Sequence, residues 1–338
     1  VSYSPVAAVC YEESRKYEYY DFVRKLCSNS HFEDVIWVCD RLARVPFQRK
    51  SELTLYFTKI PEKYLELAKY YAIIRLMKRI RLATIQNDLA SLSMFLHYLD
   101  RVFPEANWKR CGIAVSMGFK EFLDDTKLSN QTKCRRWYSL NGFFKIMKAW
   151  GNAMCLNPFS ESPYVPINRY DAKYIPKDIV DKLDVVFRSR EIPCHLRCIY
   201  WLLRLIPSRI NEVLAMRLDC LKPYNGHYCL FIPTWKQNGG YIEPEMRVIH
   251  IEDTGVAGEL IHIIKEQQNS AREIQNLLKT AYKDYLFVYR KSHLRKNVLI
   301  EYNNTFFVAH EAHVNKYFRC ICIENNILGV DGKPYKIG

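Results

Sequence analysis

A helix start followed by a hairpin is the feature that most limits the folds open to this chain. The run Ser208-Arg209-Ile210-Asn211-Glu212-Val213-Leu214-Ala215-Met216-Arg217-Leu218 reads as an amphipathic helix. Pro207 stops what precedes it, Ser208 serves as its N-cap, and Ile210, Val213, Leu214 and Leu218 form one apolar face. Further on, Tyr228 to Pro233 and Met246 to Ile251 are strand-like and bracket Asn238-Gly239-Gly240, which predicts a hairpin with Lys236 near its tip. Taken singly, these residues have ordinary uses. A helix-start arginine three residues before a glutamate is commonly a solvated pair worth roughly 0.2–0.5 kcal/mol, and a hairpin lysine commonly protects a strand edge. Their order and spacing carry the information.

The surroundings extend the pattern. Ile175-Pro176-Lys177-Asp178-Ile179 opens a helix, and Ile199, Leu202, Leu203 and Ile206, with Trp201, line another that ends at Pro207. After the hairpin, residues 258 to 279 read as a helix and Tyr285-Leu286-Phe287-Val288 as a short buried run. Arg290 to Lys296 reads as a strongly basic loop, and Val314, Phe318, Ile321 and Cys322 give a last helix its face. His310 and His313 enclose Glu311-Ala312, which is not the H-E-x-x-H spacing of a zinc hydrolase, so no metal site is expected.

Upstream, the period is helical from Ile60-Pro61 onward. Tyr64, Leu67, Ala68, Tyr71 and Ile74 mark one helix; Leu89, Leu92, Leu96 and Leu99 a second; Phe119, Phe122 and Leu123 a short third. A fourth is capped by Ser129 or Asn130 and carries Trp137, Leu140, Phe144 and Met147, before Leu156-Asn157-Pro158-Phe159 stops it. Residues 160 to 175 have prolines and no period, as a linker does. Residues 1 to 58 offer no chemistry, with helices expected around Asp21 to Leu26 and Trp37 to Leu42.

A chain of 338 residues exceeds one typical core. A net charge of +14 favours an acidic partner, and 14% aromatic content argues against a disordered basic tail. Nucleic acid leads. The twelve cysteines have neither a disulfide framework's spacing nor a zinc finger's, so buried reduced thiols are expected. The most apolar run, Cys198 to Leu203, is far short of a membrane span, and with reduced thiols this points to the cytoplasm.

Arg209-Ile210-Asn211-Glu212-Val213, followed by a hairpin lysine, resembles the catalytic domain of tyrosine recombinases, or phage integrases. One departure is Ile206-Pro207-Ser208 where the family often has a Thr-Gly pair. Four short helices ending in "N-P-F" are similar to the same family's helical DNA clamp. The resemblance implies a mainly α fold with a small β-hairpin or sheet (α+β). It divides the chain into an N-terminal extension (1–58), a SAM-like core-binding domain (59–160), a linker (161–174) and an incomplete catalytic domain (175–338). It implies that Arg209 binds the scissile phosphate, that Lys236 assists the leaving group, and that Glu212 supports Arg209. Arg75, Lys78, Arg79, Arg81, Lys133, Arg135 and Arg136 become candidate contacts to duplex DNA.

The family's H-x-x-R motif, later His or Trp, and tyrosine nucleophile have no counterpart here: His293-Leu294-Arg295 and His195-Leu196-Arg197 have the wrong spacing. The expectation is therefore a fragment of a site-specific integrase, transposon-borne by one reading, that forms a tetramer on DNA when complete and is inert alone. No metal or cofactor is called for. Two other classes fit less of the pattern: a DNA-binding protein with recombinase architecture and no catalysis, and a helical protein-interaction scaffold, against which the lack of tandem helical repeats counts.

Overall fold

A computed structural model describes residues 16–104, 108–147, 156–165, 175–235, 243–295, 298–329 and 332–335. The chain forms two compact units, one of residues 1–43 and 48–170 and one of residues 44–47 and 171–338. The architecture is mainly α with small antiparallel sheets, the expected class.

The first unit is built on α2 (Leu65–Met77) and α3 (Leu82–Val102). Pro61 precedes a single 3-10 turn that leads into α2, whose residues from Leu67 to Ile74 are all buried. On α3 the stripe of Leu89, Leu92, Leu96 and Leu99 faces the same core, as its spacing predicts. α4 (Ile113–Asp124) and α5 (Asn130–Met147) complete the bundle, with the Ser129 hydroxyl accepting the Thr132 amide at 3.3 Å. The "N-P-F" stop is also an anchor. Asn157 donates to Asn141 Oδ1 at 2.8 Å and its own Oδ1 accepts the Phe159 amide, which turns the ring of Phe159 into the core against Trp137, 4.8 Å away edge-on.

Several residues ahead of Pro61 join this same core. α1 (Lys16–Leu26) brings Tyr19 and Val23 onto it, and Trp37, Leu55 and Phe57 are fully buried in it. The helix expected at Trp37 to Leu42 does not form. Ile36–Val38 is strand β1, paired antiparallel with β2 (Thr54–Tyr56), and the rest of the expected helical span holds a 3-10 turn, Asp40–Leu42. Pairing satisfies the backbone while Trp37 points inward between exposed Ile36 and half-buried Val38, an alternation of period two that a short helix could not supply.

In the second unit, α6 (Lys177–Arg188) starts at Pro176 and α7 (Cys194–Leu205) at Pro193, both at positions where a missing amide is harmless. α7 is its central helix. Phe187 stacks on Tyr200 at 4.1 Å, and His195 on Tyr289 at 4.6 Å. Burial pushes the His195 imidazole down to about 4, so it is neutral in the core. α8 (Ile210–Leu214) leads to the sheet β3-β4-β5, made of Leu221–Tyr224, His227–Thr234 and Glu245–Ile251, with α9 (Gly255–Ile274) against it. β6 (Val288–Arg295) and β7 (Val298–Val308) form a two-stranded ribbon, and α10 (Glu311–Glu324) closes the unit.

Three sequence expectations need correction here. α8 is five residues long, not eleven, because Met216 and Leu218 leave the helix to exchange backbone hydrogen bonds with Leu286 and Asp284. Arg209, not Ser208, occupies its N-cap. Arg290 to Arg295 is strand, not loop, its backbone paired with β7.

Replacing Phe159 with Ala is expected to cost about 3–5 kcal/mol in urea unfolding of the first unit, the usual loss for a fully buried aromatic. A loss under about 1 kcal/mol would show that the 156–159 segment does not anchor the bundle.

Candidate functional site

The site begins with a backbone requirement. The first amides of a helix lack intrahelical acceptors, and at α8 the carboxylate of Glu212 supplies one. Its Oε2 accepts the Arg209 amide at 3.1 Å, while Oε1 accepts Arg209 Nη1 at 2.7 Å and the Thr234 hydroxyl at 3.0 Å. Glu212 is buried, its side chain 8% exposed, whereas that of Arg209 is 55% exposed. Burial alone would raise the Glu212 carboxyl pKa, but the Arg209 amide, the Arg209 guanidinium and the Thr234 hydroxyl outweigh it and hold the group below the usual glutamate range. One edge of the guanidinium is thus fixed. Its other donors have no partner among the described residues and remain open to an anion.

Three other elements hold this turn. Arg247 on β5 donates Nη1 to the Pro207 carbonyl at 2.8 Å and Nη2 to the Ser208 hydroxyl. Thr234 ends β4, two residues before Lys236, so the hydroxyl on Glu212 comes from the same hairpin arm that leads to the lysine. Asn211 donates to Glu311 at the start of α10, 3.0 Å away. Lys236 and Asn238-Gly239-Gly240 lie outside the described residues. Sequence reasoning found Arg209 and Glu212 and missed Thr234, Arg247 and the Asn211–Glu311 bond. These three depend on β4, β5 and α10 folding back to α8, and no local spacing signals that.

The seven basic candidates of the first unit divide by environment. Arg75 pairs with buried Asp88 at 2.8 Å, and the Tyr71 hydroxyl donates to the same carboxylate at 3.1 Å. Lys133 is buried and meets Asp124 at 3.2 Å. Arg136 is half-buried and reaches the Ser91 hydroxyl at 3.2 Å. Lys78, Arg79, Arg81 and Arg135 are exposed, with Arg79 in the left-handed region at φ 56° just past the end of α2. Among the described residues, Arg75 and Lys133 thus sit against carboxylates, and four of the seven stand at the surface.

Elsewhere, His310 caps α10 by accepting the Ala312 amide at its Nδ1, 3.2 Å away. Among the described residues no cluster of three or more His, Cys, Asp or Glu side chains could hold a metal ion, and no helix is long and apolar enough to cross a membrane. The described cysteines are free thiols, most of them buried.

With this geometry the chain can be set beside solved structures. It is similar to the XerH site-specific recombinase bound to a palindromic difH substrate in a post-cleavage complex, with a TM-score of 0.53 and 14% identity over 94% of this chain and 80% of that one. The pre-cleavage complex of XerH with difH gives a TM-score of 0.49 at 13% identity, over the same shares of both chains. The XerA recombinase gives 0.28 at 14% identity over 80% and 79%. The likeness is one of fold. No protein-family model and no curated protein matches the sequence.

Thr234→Val removes one of three donors to a buried carboxylate. The Glu212 pKa should then rise, and the unit should lose about 1 kcal/mol. Because that pKa is depressed in the folded state, the capping contributes in full above the ordinary glutamate value and is lost as pH falls through the folded one. A carboxyl-carbon NMR titration of Glu212 that is unchanged by the substitution would rule the hydroxyl out as a determinant.

Proposed function

We propose that this chain is a DNA recombinase of the tyrosine type, and that its second unit carries the first half of a phosphate-binding site. The observation that carries the proposal is the fixed guanidinium of Arg209: a buried carboxylate orients one edge, the rest is exposed, and the arm of β4 beside it runs on to Lys236. The fold likeness to XerH supports it.

The chemistry follows from charge. In this reaction a tyrosine hydroxyl attacks phosphorus, the bond to the 5′-oxygen breaks, and a 3′-phosphotyrosine forms. The pentavalent transition state concentrates negative charge on the equatorial oxygens, and preorganised donors stabilise it most. Arg209 supplies one such fork in the proposal, held by Glu212 at no cost at the moment of reaction. Lys236 gives a proton to the departing 5′-oxygen, which leaves as a hydroxyl. The 338 residues contain no H-x-x-R motif, so the proposal assigns them no second arginine of that motif and no nucleophile. In this proposal they bind duplex DNA and place its phosphate, as part of a tetramer assembled on the DNA.

Duplex binding in this proposal draws first on the exposed cations Lys78, Arg79, Arg81 and Arg135. Arg75 and Lys133 act indirectly, by neutralising Asp88 and Asp124.

A nicked suicide duplex tests both parts. The 338-residue chain should shift it without forming a covalent adduct on a denaturing gel, and for six to ten phosphate contacts the affinity should fall by about 10³–10⁵ between 50 and 200 mM salt. Lys78→Ala and Arg135→Ala should each reduce the salt slope by about 0.9. An adduct would place a nucleophile within these residues. Failure to bind duplex even at low salt would end the recombinase reading.

A further inference from the structure

The first unit contains a groove of about 900 Å³ between the β2 segment, α3, α4 and α5. A volume of this order suits a small ligand. Three cations line it: Lys59, Arg101 and Arg136. None forms an ion pair among the described residues. Asp100, a carboxylate of the lining, is already matched by Lys63.

Arg136 is the informative member. It sits half-buried, and among the described residues its Nη1 reaches the Ser91 hydroxyl while its buried Nε meets no partner. Withdrawing a guanidinium from water without an anion is unfavourable, and burial accordingly lowers its pKa. The rim is built rather than incidental. His97 Nε2 and the Ser93 hydroxyl both bond the Lys59 carbonyl, at 2.9 and 2.5 Å, and Gln86 donates to the Ser51 and Thr54 carbonyls. The walls are aromatic: Tyr56 is half exposed, and Phe122 lies beneath the Arg101 guanidinium at 5.5 Å.

We propose that this groove binds a nucleotide, with its phosphate at Arg136, Arg101 and Lys59 and its base against the half-exposed ring of Tyr56. Guanidinium forks match phosphate oxygens, and an aromatic face accepts any base. The nucleotide is either free or part of a single strand, and the site is independent of the Arg209 reading, which concerns the other unit.

Equilibrium dialysis of the 338-residue chain against deoxyadenosine 5′-monophosphate, a short single-stranded oligodeoxyadenylate and deoxyadenosine tests the proposal. At least one phosphate-bearing probe should bind, and deoxyadenosine should bind at least about tenfold more weakly. Arg136→Met should weaken binding at least about tenfold, as should the double variant Lys59→Ala, Arg101→Ala at exposed positions, which decides alone if Arg136→Met does not fold. Binding of the mononucleotide identifies a free nucleotide as sufficient, and binding of the oligonucleotide alone identifies a strand. No binding of either phosphate probe, or equal binding by wild type and the double variant, overturns the proposal.

Discussion

The buried carboxylate of Glu212 is the constraint on which the second unit's chemistry rests. A carboxylate in a low-dielectric interior is costly unless several donors share its charge. Here the donors are the Arg209 amide, the Arg209 guanidinium and the Thr234 hydroxyl. Meeting that need fixes three things together: where α8 begins, which edge of Arg209 is occupied, and where the hairpin arm ends. The arginine is left with its remaining donors outward, in a geometry set before any ligand arrives. Arg247 completes the arrangement by holding the Pro207 carbonyl and the Ser208 hydroxyl, so the turn is gripped from β5 as well as from β4.

The same logic sorts the basic residues of the first unit. A charge of +14 says only that cations are in excess. It does not say which are available. Arg75 and Lys133 sit beside carboxylates, in surroundings where an unpaired cation would be strongly destabilising, so their first role is internal. Lys69 shows the extreme: it is buried, donates to the Glu33 carbonyl at 2.8 Å, and lies over the Phe32 ring, with burial lowering its pKa. Charge clusters read from sequence therefore overstate the surface, because helix faces that look basic are partly turned inward.

What could be read in the sequence follows from the range of the interactions involved. The stripe on α3, the strands β4 and β5 and the buried Tyr285 to Val288 run are set by local spacing, and all appear where that spacing puts them. Arg209 and Glu212 were legible for the same reason, since a three-residue step on a helix start is local. The strand β3 was missed although Asn225-Gly226, both at positive φ, is a strong turn signal of the type I′ hairpin and joins it to β4. The shortening of α8 was not legible in the sequence. Helix propensity favours continuing to Leu218, and the helix ends because backbone groups near Asp284 and Leu286 offer better pairing, which is a tertiary override of a local preference.

Trp37 shows how such overrides position a site rather than merely perturb it. Its indole is fully buried between Phe32 and Phe57, and this holds β1 against β2. β2 carries Tyr56 out to the groove wall, and the chain just beyond it carries Lys59 to the rim. Gln86 and His97, one near each end of α3, tie that segment down by its carbonyls rather than by its side chains, so the lysine and tyrosine side chains stay free to meet a ligand while their backbone is fixed. Residues that as sequence looked like an extension without chemistry thus form one wall of the groove in the first unit, because a buried aromatic pair fixes the strand and the strand fixes the wall.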